Sequence, residues 1–381
     1  MRNEDLRQKT KVTDVLTKID QQKWRWIGHM LRDRQEKWSK IAVEYYTRRK
    51  TPIYACFLDL SKAFDLVNYE LLWKKLDKVK FPKELTRIFR CWYGGQRNSV
   101  RWGNVLSDEY GLQCGVRQGG LSSPKLFNLY VNDLIDGLSS THVGCHIDRV
   151  CFNNISYADD MVLLSPSVGG LNILINMCES YARDHNLKYN ALKSEYMVFK
   201  AGTKSPSYVP PILLDGQELN RVSSFKYLGH LVTEDLRDDA DIERERRALA
   251  MRANMIARRF SRCTAQVKIT LFKAYCTSLY TCSLWTRYTQ RSLNALRVQY
   301  NDAFRVLLRL PRHCSASGMF ADASVDGFHA TLRKRCAAML SRVRDSRHSL
   351  LAIVGNRWDS GLLKHWSSLH VSFNNCKFNL I

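Results

Sequence analysis

The sequence predicts an α+β middle followed by an all-α end, with the boundary near residue 235. Three observations carry this. Between 51 and 235, short apolar runs bounded by turn residues alternate with amphipathic helical patterns. From about 236 the pattern is mostly helical and rich in arginine. Charge divides at the same place: residues 51–235 carry 20 Lys/Arg and 19 Asp/Glu, whereas 236–381 carry 25 and 10. Residues 1–50, with 14 Lys/Arg and 7 Asp/Glu, form a third, basic segment.

Taken in order, 13–46 are helical and amphipathic, with Trp24, Trp26, Ile27 and Leu31 near helical spacing. Pro52 opens an apolar run from Ile53 to Leu60, a buried strand that ends in Asp59. Leu71, Leu72, Leu76 and Val79 predict a helix, and Leu85, Ile88 and Phe89 another after Pro82. Gly94-Gly95 marks a turn, and 98–116 are strands with turns. Ser122-Ser123-Pro124 starts a helix with a capping hydroxyl and an early proline. A strand to Tyr157, a turn at Asp159-Asp160 and a returning strand through Leu164 follow. A helix comes after Gly169-Gly170, then strands near 195–200 and 224–232. In the all-α end, Leu271, Tyr275, Leu279 and Cys282 mark one apolar stripe.

Composition narrows the function classes. With 381 residues there is room for two or three domains, and 45% apolar with 25% charged residues is ordinary globular composition. No stretch approaches the roughly 20 apolar residues of a membrane span. The charged amino terminus does not resemble a secretory signal, so a nuclear or cytoplasmic, non-secreted protein is expected. Twelve cysteines without a Cys-x-x-Cys pair are expected to be reduced thiols. A net charge of +23 points to a polyanionic partner, and nucleic acid is the usual one.

The chemistry rests on carboxylates. Asp159 and Asp160 are adjacent in a short loop between apolar strands. Alone, such a pair is more often a solvated turn than a site. Asp59, ending a buried strand, needs a partner. If the two strand elements are neighbours, three carboxylates converge at one sheet edge. Hard oxygen ligands of that kind select magnesium or manganese, and a pair of such ions stabilises both the attacking and the leaving oxygen in phosphoryl transfer.

These residues lie in a recognisable series. Phe57-Leu58-Asp59-Leu60-Ser61-Lys62-Ala63-Phe64-Asp65 resembles motif A of reverse transcriptases, and Gly115-Val116-Arg117-Gln118-Gly119-Gly120-Leu121-Ser122-Ser123-Pro124 resembles motif B. Tyr157-Ala158-Asp159-Asp160 matches motif C, Leu192-Lys193-Ser194-Glu195 motif D, and Phe225-Lys226-Tyr227-Leu228-Gly229 the motif that forms the primer grip. The five occur in the family's order, and the resemblance is closest to non-LTR (LINE-type) retrotransposon enzymes. It covers about 51–350, with the basic end similar to their thumb and the region beyond it.

The resemblance implies a right-hand palm, an antiparallel sheet with helices, over 51–235 and a helical thumb and C-terminal region over 236–381. It implies RNA-directed DNA polymerisation with an RNA template, a DNA primer and deoxynucleoside triphosphates. Asp59, Asp159 and Asp160, with the Leu60 carbonyl, would bind two Mg2+ ions, Mn2+ also being suited. Phe64 would be the steric gate that excludes a ribose 2′-hydroxyl. Gln118 and Gly119 would approach the incoming nucleotide, Arg117 the template, and Lys193 would donate a proton to pyrophosphate. Tyr227, Leu228 and Gly229 would hold the primer. Arg252, Arg258, Arg259 and Arg262 belong to a stretch, 244–312, with fifteen Lys/Arg interleaved with aromatics, as a duplex-gripping thumb requires.

Two departures qualify this expectation. The family carries a fingers subdomain ahead of motif A, and residues 1–50 offer no matching segment. Lys23-Trp24-Arg25-Trp26-Ile27-Gly28-His29-Met30-Leu31-Arg32 instead resembles a segment found near the carboxyl end of related elements. The expectation is therefore a truncated polymerase, weakly active or inactive. The alternative is a catalytically dead nucleic-acid-binding remnant or domesticated protein.

Overall fold

The computed structural model describes residues 49–147, 150–201, 208–346 and 360–371, with Val43, Tyr46, Thr47, Pro206 and Leu351. The tryptophan-rich helix expected over 13–46 lies outside the described residues except at Val43 and Tyr46. The elements begin with β1 (Ile53–Leu58), α1 (Tyr69–Lys78) and α2 (Lys83–Gly94). Two short ribbons follow, β2 (Arg97–Asn98), β3 (Arg101–Trp102), β4 (Val105–Leu106) and β5 (Tyr110–Gly111). Then come α3 (Ser123–Ser140), β6 (Cys145–Ile147), β7 (Val150–Phe152), β8 (Asn154–Tyr157), β9 (Asp160–Ser165), α4 (Val168–Asp184) and β10 (Glu195–Phe199). Short strands β11 (Leu213–Leu214), β12 (Gln217–Glu218) and β13 (Asn220–Arg221) lead to the hairpin β14 (Ser224–Tyr227) and β15 (His230–Thr233). The rest is helical: α5 (Asp239–Arg259), α6 (Ala265–Tyr275), α7 (Gln290–Leu308), α8 (Ala316–Asp322), α9 (Phe328–Arg344) and α10 (Gly361–Val371).

The main sheet has the order β13-β10-β1-β9-β8, antiparallel except for the β10–β13 pair. Its central strand β1 is apolar throughout because both faces of the sheet are covered. Alternation sends Cys56, Leu58, Met161, Leu163, Tyr196 and Val198 to one face, against α1, α3 and α4. Ile53, Ala55, Phe57, Val162, Leu164, Met197 and Phe199 point the other way. There they meet the β6–β7 ribbon, the β14–β15 hairpin and residues of α9 and α10 such as Met339, Val343 and Trp366. A third core gathers α5 to α8 with the start of α9 around Phe272, Tyr300 and Phe304. Every described cysteine is a free thiol.

Local chemistry explains most element ends. Asn68 Oδ1 accepts from the Leu71 N–H at the start of α1, and Ser167 accepts from the Gly170 N–H, so α4 begins before its two glycines. The capping hydroxyl expected for α3 is absent: Ser122 is already helical (φ −86°, ψ −21°) and makes no side-chain cap bond. Two tight turns, Arg117 to Gly120 and Gly120 to Ser123, deliver the chain into α3 without one. The apolar stripe from Leu271 to Cys282 is not one helix. It ends at Tyr275, and a short 3-10 turn, Cys282–Leu284, follows. Beyond Tyr275 the Thr281 and Trp285 side chains donate to Asp241, and the Thr286 and Arg287 N–H groups donate to Asp238.

Candidate active site

Asp59 follows the last residue of β1, and the hairpin of β8 and β9 closes beside it. Register pairs Leu58 with Met161, so one further step sets Asp59 opposite Asp160. The turn itself is Ala158-Asp159, flanked by the pair Tyr157 and Asp160, so Asp160 opens β9 rather than sitting in the turn as the sequence suggested. Ala158 adopts φ +53°, which costs a non-glycine residue about 1–2 kcal/mol. Strain of that kind concentrates where a turn must aim its neighbours. By alternation, Asp59 and Asp160 lie on the face of Phe57 and Val162, and all three carboxylates share one end of the sheet.

The segment around Lys193 is fastened to Asp59. The Asp59 N–H donates to Ser194 Oγ (3.0 Å), and the Asp59 carbonyl accepts from the Asn190 N–H (2.8 Å). Leu60 bridges Tyr189, and the Lys193 N–H returns to the Asn190 carbonyl and side chain. Burial pushes the Tyr189 phenol well above its ordinary pKa, so this support is neutral and apolar. Lys193 itself is exposed.

The loop from Gly115 to Gly120 docks on the chain after Asp59. The Val116 N–H donates to the Phe64 carbonyl (2.7 Å) and the Gly115 N–H to the Val67 carbonyl (2.8 Å). Gly115 has φ +94°, and a Cβ there would lie 2.8 Å from the Asp65 carbonyl oxygen, so no other residue fits. Gln118 and Gly119 form the tip of the following turn. Both are exposed, and Gly119 has φ +78° with open space around it. Arg117 Nε donates to Gln96 Oε1 (3.1 Å). Phe64 is half-buried, stacked on Phe127 with centroids 4.9 Å apart. Burial lowers the ammonium of Lys125, in the first turn of α3, to about 8.

The β14–β15 hairpin lies on the carboxylate face. Phe225 stacks on Phe57 at 4.0 Å, two residues before Asp59. Leu228 (φ +47°) and Gly229 (φ +85°) make the two-residue turn, both left-handed as a type I′ turn requires. Tyr227 is buried, with its hydroxyl donating to the Ile155 carbonyl, so it supports the turn rather than presenting a surface. On α5, Arg258 and Arg259 are exposed and, with Met251, Asn254 and Met255, line a groove of about 430 Å³; Arg262 is exposed just beyond it. Arg252 is held in an ion pair with the buried Glu245 (2.6 Å) and does not join them.

Among the described residues, no three His, Cys, Asp or Glu side chains are grouped to hold a metal ion, so the expected closed cluster is not formed. The donor chemistry nonetheless fits a hard divalent cation. Ionised carboxylates only accept hydrogen bonds, and in a chain of net charge +23 neither Asp59 nor Asp159 has a hydrogen bond or ion pair from its carboxylate to a described residue. Asn190 and Gln96 had no signal as site supports in the sequence, and Ser194 stood there only as a member of the Leu192–Glu195 motif. Ser194 acts on a partner 135 positions away and Gln96 across 21.

The chain matches the family described as "Reverse transcriptase (RNA-dependent DNA polymerase)" over residues 3–232. It is 30% identical over 186 residues to the "Retrovirus-related Pol polyprotein from type-2 retrotransposable element R2DM" of Drosophila melanogaster, covering 46% of this chain and 17% of that one. It is 25% identical over 310 residues to the "Probable RNA-directed DNA polymerase from transposon BS" of the same organism, covering 78% and 33%. Similarity to the "RNA-directed DNA polymerase from mobile element jockey" of Drosophila funebris is 22% over 312 residues, covering 79% and 33%. The chain thus spans about a third or less of the length of these curated relatives. Among solved structures, the telomerase of Candida tropicalis with a TWJ fragment of telomeric RNA aligns at TM-score 0.44 and 10% identity, over 94% of this chain and 54% of that one.

Proposed function

The chain belongs to the reverse transcriptase family, and on that premise we propose that it is the palm and thumb of a non-LTR retrotransposon polymerase that extends a DNA primer on an RNA template. The observation that carries this is the placement of Asp59, Asp159 and Asp160 at one end of the sheet, with Asp59 and Asp160 on the face that also holds the β14–β15 hairpin. The family is metal-dependent, and two magnesium ions held by these carboxylates and the Leu60 carbonyl would neutralise the charge that develops on the attacking and leaving oxygens.

The chain's own residues supply position. Ser194 and Asn190 fix the backbone of Asp59, and with it the point at the sheet end from which its carboxylate reaches toward the reacting phosphate. Phe64, braced by Phe127, closes the space where a 2′-hydroxyl would stand and so selects deoxynucleoside triphosphates. Gln118 and Gly119 offer an exposed turn against which the nucleotide lies, and Arg117, oriented by Gln96, meets the template strand. Lys193, one turn from Asp59, delivers a proton to departing pyrophosphate. The Leu228–Gly229 turn seats the primer end, and Arg258, Arg259 and Arg262 neutralise duplex phosphates.

Primer extension on an RNA template, with magnesium and deoxynucleotides, tests the reading. Extension, however slow, should be lost in Asp159→Ala with binding of the hybrid retained. Extension that survives Asp159→Ala would refute the site. A chain that binds the hybrid but never extends it, even fused to the fingers segment of a relative, would support a catalytically dead remnant instead.

A further inference from the structure

The joint between the β14–β15 hairpin and the thumb is built around one carboxylate. Asp241, in the first turn of α5, is fully buried, yet its oxygens accept four hydrogen bonds. Oδ1 accepts from the Leu231 N–H (3.0 Å) and from Arg244 Nε (2.7 Å). Oδ2 accepts from Thr281 Oγ1 (2.7 Å) and Trp285 Nε1 (2.8 Å). His230, within the hairpin, holds its Nε2 at 3.7 Å from the same Oδ2. An acidic residue at a helix start ordinarily serves that helix's own N–H groups. Asp241 instead joins three separate pieces of chain: the hairpin, α5 and the irregular stretch 276–289.

That stretch carries the residue that meets the hairpin turn. Tyr280, next to Thr281, is so close to Gly229 that a Cβ on the glycine would lie 3.6 Å from the tyrosine Cε1. Asp238 draws the chain in from the far side, accepting from the Thr286 and Arg287 N–H groups at 2.7 and 2.9 Å. The Leu228–Gly229 turn therefore has its height above the sheet set by Phe225 on Phe57, and its angle to the thumb set through Asp241.

We infer that Asp241 is a positioning residue for the primer end: its carboxylate clamps the β14–β15 hairpin to the thumb and so fixes where the Leu228–Gly229 turn holds the primer terminus. This rests on the reading of that hairpin as the primer-holding element. Asp241→Asn keeps the volume but turns one oxygen into a donor that faces donors, so half of the clamp is lost.

The test uses the full chain and an RNA template annealed to a primer ending in 4-thiothymidine. In the wild type, photo-crosslinks should map to 224–233. In Asp241→Asn they should fall at least fivefold or spread to other segments, while the Kd for the hybrid stays within threefold because Arg258 and Arg259 are untouched. Amide exchange in the hairpin peptide should accelerate about tenfold or more. Thr281→Val, which removes one donor and no charge, should show the same pattern more weakly and covers the case in which Asp241→Asn unfolds. Crosslinks and affinity falling together, in step with an unfolded fraction, would overturn the positioning role. Unchanged hairpin exchange in Asp241→Asn would overturn the clamp. Wild-type crosslinks outside 224–233 would overturn the primer-holding reading and, with it, the inference.

Discussion

Replacing Asp59 by Asn should make the protein more stable without magnesium and less stable than the wild type with it. The Asp59 and Asp160 positions face each other across the strand pair, which places their Cβ atoms about 5 Å apart. Two unit charges at about 5 Å repel by about 0.8 kcal/mol at the dielectric of water, and salt trims this further. Asp59 is half-buried and Asp160 exposed, so the water-like figure is the appropriate one. The carboxylate of Asp59 holds no described partner, and its backbone bonds to Ser194 and Asn190 do not involve the side chain, so Asn removes repulsion and little else. In EDTA the melting temperature should rise by about 1–2 °C. A magnesium concentration tenfold above the Kd adds about 1.4 kcal/mol to the wild type by mass action, enough to reverse the order. Differential scanning calorimetry of both proteins, with EDTA and across a magnesium titration, reads each arm. An Asn variant destabilised by more than about 1 kcal/mol in EDTA, or one stabilised by magnesium as much as the wild type, would refute the reasoning.

Three further outcomes follow from the same geometry. Gly115→Ala should destabilise by at least about 2 kcal/mol in urea denaturation, because a Cβ at φ +94° is strained and would meet the Asp65 carbonyl at 2.8 Å. Burial raises the Asp241 carboxyl, but His230 and the hydrogen bonds from Arg244, the Leu231 N–H and Trp285 outweigh it and hold the pKa below the ordinary 3.8; this stability is intact above about pH 4 and is lost as pH falls through the lowered folded value, so acid melts of Asp241→Asn should be flatter there. Binding of an RNA–DNA hybrid should weaken linearly in log salt, with a slope shallower by up to about 0.9 for each of Arg258, Arg259 and Arg262 changed to Gln, whereas Arg252→Gln should leave the slope unchanged and lower stability by about 1–2 kcal/mol, since it leaves the buried Glu245 only the longer pair with Arg244.

The sequence by itself determined most elements of the palm and the family, and it named the candidate carboxylates. An apolar run as short as Ile53–Leu58, opened by Pro52, reads as a covered strand, and Asp59 at its end is legible because a carboxylate there has no local reason to exist. The motif series placed the family, and the motif glycines 115, 119 and 229 all take positive φ. Local pattern could not decide what depends on partners far along the chain. Asp241 looks like an ordinary helix-start acid until Leu231, Thr281 and Trp285 arrive from elsewhere. Tyr227 and Arg252 carry the residue types of a binding surface, yet one hydroxyl turns inward to Ile155 and one guanidinium to Glu245. Side-chain type states what a residue can bond to; only the folded neighbourhood decides which bond it makes.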